Sequence, residues 1–470
     1  MTNQTIGIEG TVPEGDLPQG THPVPGRREW RPIWSGRGGE SIPQHFGSCA
    51  ADTTDPRSEF GSERQMRGSR IIGIDVARMV ALIGMILAHT LPTMDPETAE
   101  PTFVQIFAGG NASALFALLA GIGITLTTRR AQNRGFGARQ VARTQVVVRA
   151  ALILFIGLSF NSLVEPLDMN ILPYYSILFL MTIPFLFVRR RVIIGWIVFC
   201  TIVGPLVQYA VRARTGVATI PAPVFSDFLS SPVDTFTGLL FTGTYPVTTW
   251  VVYILIGLLV GRLALNRLQV QLGLLGAGTI ISLLGFGLSR LLVSYAGGFE
   301  RMLYSTEATT AAQVREALHT VPDTGIPTSS LWWLTTAAPH ANTPFSLLHS
   351  IGVAMAVLGA VLLLCRLSSR ITYPLSLVGS MTLTLYVIHL TFLDFIDVEA
   401  FPNTAFAIQV LLMFAVALSW RSFFAQGPLE WVVSRITKSV GPRRRSPQRV
   451  SGDPEPMTDT GPVPPRGDAS

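Results

Sequence analysis

Between positions 70 and 435 the chain alternates long apolar stretches with short polar breaks. Ten stretches approach or exceed the roughly 20 residues that a helix needs to cross a bilayer. They fall at approximately 71–91, 103–128, 141–163, 171–188, 191–211, 245–265, 270–296, 345–366, 374–397 and 404–424. The fourth is short and interrupted by Pro173 and Pro184. The pattern predicts an all-α fold, a polytopic helical bundle of about ten transmembrane helices. Residues 1–69 and 439–470 are rich in Gly, Pro, Ser and charge and have no apolar window, so they read as a disordered leader and tail. No apolar core lies near Met1, so the leader is not a signal peptide, and Met66 is an alternative start.

Charge placement sharpens this picture. Arg129, Arg130, Arg134, Arg139 and Arg143 follow the second stretch, and Arg189, Arg190 and Arg191 follow the fourth. Arg262 and Arg267 follow the sixth, and Arg366 and Arg370 the eighth. The intervening breaks hold only Arg212, Arg214, Arg301 and Arg315. Alternation of this kind is the positive-inside pattern with both termini cytoplasmic. Two outer loops are long, 212–244 and 297–344, and "STEATTAAQVREALHTVPDTG" in the second predicts a short amphipathic helix.

Composition agrees: 48% of the 470 residues are hydrophobic and 14% charged, and mean hydropathy is +0.43. Those values belong to a membrane protein rather than a soluble domain. The net charge of +6 follows from inner-loop arginines and gives no reason to expect nucleic acid. Three scattered cysteines, Cys49, Cys200 and Cys365, suggest neither a disulfide framework nor a metal site. No HExxH or CxxC spacing is present, and no metal is expected.

The candidate chemistry begins in the first stretch, "RMVALIGMILAH". Eleven helical positions make about 1100°, within about 20° of whole turns, so Arg78 and His89 share a face about 16 Å apart. Asp75 precedes Arg78 at the i, i+3 spacing of a carboxylate–guanidinium pair. Ionisable groups at membrane depth usually face a cavity and mark function; the alternative is that Asp75 and Arg78 snorkel at the cytoplasmic interface and anchor the helix, with His89 an interfacial residue. Toward the outer side the topology also places His340, His349 and His389, with Tyr386 one turn before His389, as candidates for base, orienter and acceptor ligand. Asn111 and Ser113 in "GGNASALF" read as close packing or as a pocket wall facing His89. Arg149 reads equally as a salt-bridge member or an anion site, and Tyr245 in "GTYP" as a substrate contact or an interface anchor.

Several segments resemble the bacterial YeiB-like membrane proteins and the heparan-α-glucosaminide N-acetyltransferase-like proteins: "RIIGIDVARMVALIGMILAHT", "GGNASALFALLAGIGI", "GTYPVTTWVVYILIGLLVGRL", "HANTPFSLLHSIGVAMAVLG", "YPLSLVGSMTLTLYVIHL" and "GPLEW". Arginine, ten residues, then histidine is also similar to family 3 membrane acyltransferases, where the histidine is thought catalytic. YeiB-like members often carry Asn at the position of His89. The resemblance implies an acyltransferase-like domain over 70–300, an outer loop at 301–344 and a YeiB-like domain over 345–438. It implies acyl transfer from cytoplasmic acyl-coenzyme A to a sugar or other hydroxyl or amine acceptor at the outer face. His89, Arg78 and Asp75 would be catalytic, while Asn111, Ser113, Arg149, Tyr245, His340, His349, Tyr386 and His389 would bind substrate. Acyl-coenzyme A is the expected co-substrate, with no tightly bound cofactor. Expected partners are the lipid bilayer, a cell-envelope sugar or glycolipid acceptor and a second copy in a homodimer, in a bacterial plasma membrane. On the residues alone, a transporter or exporter of a polar or lipid-linked solute fits the same polar line.

Overall fold

A computed structural model describes residues 71–95, 97–98, 100–164, 169–216, 220, 222–306, 310–321 and 325–440. The expected leader at 1–69, Met66, Cys49 and nearly all of the tail lie outside the described residues. All the described residues fall in one compact unit, to which both halves expected from the resemblance contribute.

Among the described residues the fold is all-helical, with no strand and one isolated bridge between Met94 and Pro101. The main helices are α1 (Ile72–Thr90), α2 (Asn111–Thr128), α3 (Gly135–Leu163), α4 (Leu172–Thr182), α5 (Arg190–Thr215), α6 (Val247–Val260) and α7 (Leu268–Ser294). They are followed by α8 (Gly298–Ser305), α9 (Ala311–Ala317), α10 (Pro344–Leu364), α11 (Ser369–Gly379), α12 (Thr382–Phe395), α13 (Pro402–Phe423) and α14 (Pro428–Ser439).

Each of the ten apolar stretches lies on helix. Among the described residues seven helices are long and apolar enough to cross a membrane, or up to nine if each of two bent pairs is one span. The stretch at 171–188 gives only the short α4 and a 3-10 turn ending at Phe185. Pro184, lacking a backbone N–H, sits in that turn, where an α-helical continuation would miss a bond. The stretch at 374–397 breaks by 65° between α11 and α12, and α6 is bent by 53° from the helical segment Pro232–Thr242 before it. The expected amphipathic helix is α9, started by a capping box between Thr310 and Gln313.

Small residues set the packing. Gly121 of α2 and Gly257 of α6 lie so close that a Cβ on either would strike the other helix's backbone. Gly278 and Gly285 of α7 meet Gly352 and His349 of α10 in the same way, and α7 and α10 form the most extensive helix pair. In a membrane, where lipid tails are as apolar as leucine, such close approach supplies the van der Waals contact that holds helices together. The best-covered span is α2, 67% buried, whereas the spans of α7 and α13 are each 22% buried and form the periphery. On the side opposite the arginine-rich breaks, α8, α9 and a 3-10 turn at Leu331–Thr335 enclose a small core of Met302, Val314, Ile326 and Trp333. This cap is fastened by Gln105 Nε2 donating to His319 O at 2.7 Å and by Tyr209 Oη donating to Thr328 O at 2.6 Å.

Candidate active site

His89 occupies the last turn of α1, where the unpaired carbonyls of a helix end favour a basic side chain. Its Nδ1 lies 2.9 Å from His389 Nε2 on α12. The rings are within 9° of parallel with centroids 5.2 Å apart. That separation is about as wide as rings joined through nitrogens can reach, so they lie edge to edge in one plane rather than face to face. On its other side His389 Nδ1 meets Gln409 Oε1 of α13 at 2.5 Å. With the Gln409 amide oriented this way, an oxygen can only accept, so His389 Nδ1 carries the hydrogen and its Nε2 accepts. His89 Nδ1 must then donate, which leaves the lone pair of His89 Nε2 free. His389 and Gln409 are buried, and Gln409 Nε2 has no hydrogen-bond partner among the described residues.

Toward the arginine-rich end of the same helices lies a cavity of about 460 Å³ lined by Arg78, Arg130, Arg149, Lys438 and Glu430. Arg78 is held by Asp75, Nη1 to Oδ1 at 3.0 Å, with the carboxylate buried. The absence of a side chain at Gly123 leaves room for that guanidinium against α2. Arg149 lies 5.5 Å over the Phe179 ring, and its Nε has no partner among the described residues. Glu430, from "GPLEW", accepts from the backbone N–H groups of Leu383 at 2.7 Å and Thr384 at 3.1 Å, and from Thr384 Oγ1 at 2.6 Å. It therefore caps the start of α12, and its charge is directed there. With Arg78 neutralised by Asp75, the three remaining cations, Arg130, Arg149 and Lys438, outnumber the one lining carboxylate and make the cavity suited to an anion.

Three aromatic rings form part of the cavity wall, one of them on the helix that carries His389. Phe116 lies 5.8 Å from Tyr175 and 6.4 Å from Tyr386, all three lining the cavity, and His389 is one turn beyond Tyr386. Tyr386 Oη accepts from Ile171 N–H and donates to Met169 O, both at 3.1 Å, so it is a structural tie. Only one end of the expected polar line on α1 reaches the cavity: Arg78 lines it and His89 does not.

The remaining candidates divide. His340 sits in the loop before α10 with φ 56°, its ring 5.4 Å from Tyr245 and 6.0 Å from Trp250. It is within electrostatic reach of His89, and its Nδ1 has no partner among the described residues. Burial pushes its imidazole down to about 4, so it is neutral at physiological pH. Asn342, also left-handed at φ 57°, holds this loop. Its Oδ1 accepts from Trp250 Nε1 at 2.9 Å and Thr249 Oγ1 at 3.2 Å, and its Nδ2 donates to His340 O at 2.8 Å. Two non-glycine residues in that region indicate backbone strain retained by surrounding bonds, a frequent property of functional sites. Tyr245 also donates to Met169 O at 3.4 Å and sits edge-on to Tyr174.

Asn111 donates to Ile106 O at 3.2 Å and leaves a buried Oδ1 with no partner among the described residues, whereas Ser113 Oγ bonds the nearby Gly110 O at 3.1 Å. Gly110, at φ 68°, starts α2 against Pro339 and His340, so Asn111 lies beside the His340 loop. His349 does not join the pair. Its Nδ1 lies 2.9 Å from Ser282 Oγ on α7 and its ring beside half-exposed Phe286, because α10 turns that face to α7. Gln409, Glu430, Lys438 and Asn342 escaped the sequence reading, whereas Arg130 belongs to the inner arginine cluster that it singled out. A glutamine inside an apolar stretch was a usable signal for Gln409; Asn342 had none. Among the described residues no three His, Cys, Asp or Glu side chains converge as a metal site would require.

Residues 70–295 match the family model described as "Heparan-alpha-glucosaminide N-acetyltransferase, catalytic". That region runs from the start of α1 to the end of α7 and contains Asp75, Arg78, His89, Arg149 and Tyr245. The match bears out the resemblance to such proteins and is consistent with a member of that family. No curated protein matches the chain.

Proposed function

We propose that this multi-pass membrane protein is an acetyltransferase that takes its acyl group from acyl-coenzyme A at the arginine-rich end and gives it to a hydroxyl or amine acceptor at the capped end. The observation that carries the reading is the chain Gln409–His389–His89, which leaves His89 Nε2 as a free base on a helix whose other end reaches a cationic cavity. The family match over 70–295 supports the reaction class.

On this reading the phosphates of coenzyme A meet Arg130, Arg149 and Lys438, which bind by charge-assisted hydrogen bonds. Arg78, oriented by Asp75, stabilises negative charge on the pantetheine arm or the thioester. The acceptor enters near Asn111 and His340, a site we assign to a sugar. His89 Nε2 takes the proton from its hydroxyl or amine while that oxygen or nitrogen bonds to the thioester carbonyl carbon. The carbon–sulfur bond breaks, and the proton held on imidazole passes to the departing thiolate. The products are acetylated acceptor and free coenzyme A. His389 fixes the tautomer of His89, and Gln409 that of His389. Since His89 does not line the cavity, the acyl arm has to extend beyond the cavity wall to reach it. The arginine-rich end then faces the cytoplasm of a bacterial cell.

The test is turnover of radiolabelled acetyl-coenzyme A by purified protein in detergent, with wild type and His89→Ala compared at equal folded fraction. Transfer or slow hydrolysis that disappears in the variant is expected. Equal turnover in both proteins overturns the role of His89. No thioester turnover in either, with a polar solute moved across proteoliposomes, would instead establish a carrier.

A further inference from the structure

A second concavity lies on the flank of the bundle, between α4, α5 and α6, with a volume of about 590 Å³. Its walls are almost wholly apolar, built from residues such as Phe185, Val188, Val192, Trp196, Cys200 and Leu255. The one hydroxyl in the lining, that of Thr248, is already bonded to Leu240 O at 2.9 Å. Apart from the weakly polar thiol of Cys200, an occupant therefore meets no free hydrogen-bonding side chain, which fits hydrocarbon and little else. Trp196, 45% exposed, and Phe199, 51% exposed, form the open edge.

The groove follows α5 from Val192 to Val207, about 22 Å at 1.5 Å per residue. That is more than half of the ~30 Å hydrocarbon thickness of a bilayer and close to the reach of one straightened lipid tail. Its lower end has a fixed charge. Arg189, Arg190 and Arg191 directly precede Val192 and are exposed. Arg262 donates to Phe185 O, Leu186 O and Val188 O at 2.9, 3.1 and 2.7 Å, so its guanidinium pins the groove wall there. Arg190 lies against the Arg262 carbonyl at 3.4 Å, and Arg139 and Arg143 sit 5.7 Å over the Phe187 ring. Among the described residues none of these six guanidinium groups is ion-paired with a carboxylate.

An apolar slot that opens at its end onto unneutralised arginines matches a molecule with a hydrocarbon chain and an anionic head at the membrane surface. We propose that this groove binds one acyl chain of an anionic phospholipid, whose phosphate is met by Arg189, Arg190 and Arg191. A second copy of the chain fits less well. A parallel dimer over this face would bring two sets of arginines to the same membrane level.

Trp196 is the reporter. Protein is reconstituted with rising fractions of brominated phosphatidylglycerol or brominated phosphatidylcholine, and its signal is the fluorescence of wild type minus that of Trp196→Phe. Half-maximal quenching at several-fold lower phosphatidylglycerol than phosphatidylcholine is expected. Arg190→Gln with Arg191→Gln should bring the two lipids together. Cys200→Phe, which fills the groove and leaves every arginine in place, should weaken quenching by both. Equal quenching in wild type, a preference that survives the arginine changes, or quenching unaffected by Cys200→Phe each overturns the proposal. Shielding of Trp196 from both lipids in a crosslinkable dimer would show the groove to be a protein interface. His89→Ala, although expected to lose acetyl transfer, should show the same lipid quenching as wild type, so failure of the groove and failure of the acetyltransferase reading are distinguishable.

Discussion

His89 and His389 stand 300 residues apart in the chain and 2.9 Å apart through their ring nitrogens. The bond joins the first span to the bent α11–α12 element, and Gln409 extends it into α13. Because the chain ends in an amide oxygen, the protonation pattern of all three groups is fixed from the glutamine inward.

This ordering predicts graded losses. His89→Ala should lower acetyl transfer by about 10²–10⁴-fold, the usual worth of a positioned general base. Gln409→Leu, which removes the group that selects the His389 tautomer, should lower kcat by about tenfold and leave KM for acetyl-coenzyme A nearly unchanged. Steady-state kinetics on purified protein checks both. A Gln409→Leu enzyme with full kcat would disconnect the glutamine from the reaction.

Arg149 should behave differently. It lines the cationic cavity with an unpartnered Nε and touches neither histidine. Arg149→Gln should raise KM for acetyl-coenzyme A by about tenfold, the equivalent of one charge-assisted hydrogen bond, with a smaller change in kcat. The same KM should climb with salt in wild type and more weakly in the variant.

Glu430 is expected to matter for stability rather than chemistry. Glu430→Ala removes the acceptor for two backbone N–H groups and a hydroxyl at the start of α12, at a cost of about 1–2 kcal/mol. Thermal unfolding in detergent should show a lower midpoint. Glu430→Gln, which keeps an acceptor oxygen but loses the charge, should fall between the two.

His340 predicts a pH dependence of the capped end. Its folded imidazole titrates at about 4, whereas the unfolded value is ~6.5. Between those values the unfolded chain takes the proton first, so stability is complete above about pH 6.5 and declines as pH falls toward 4. Burial also lowers His319 in the same cap, assisted by Arg290 and opposed by Glu100, so it contributes with the same sign. Unfolding midpoints measured from pH 7.5 to 4.5 should fall, and His340→Gln should flatten the decline. Parallel curves for the two proteins would remove His340 as its source.

What the sequence determined was local. Hydrophobic stretches specify helices wherever backbone groups must be satisfied without water, and the i, i+3 spacing of Asp75 and Arg78 gave their ion pair directly. The shared face of Arg78 and His89 follows from the same helical period. What tertiary structure decided was the partner each face meets. Glycine contacts such as Gly121–Gly257 and Gly278–Gly352 set how closely and at what rotation the helices pack. That rotation sends His389 toward His89 but His349 toward Ser282. It also turns Gln409 inward, commits Glu430 to the start of α12 and leaves Arg78 in the cavity wall while His89 lies outside it. A helical period states which residues of one helix lie together. Only packing between helices states what they face.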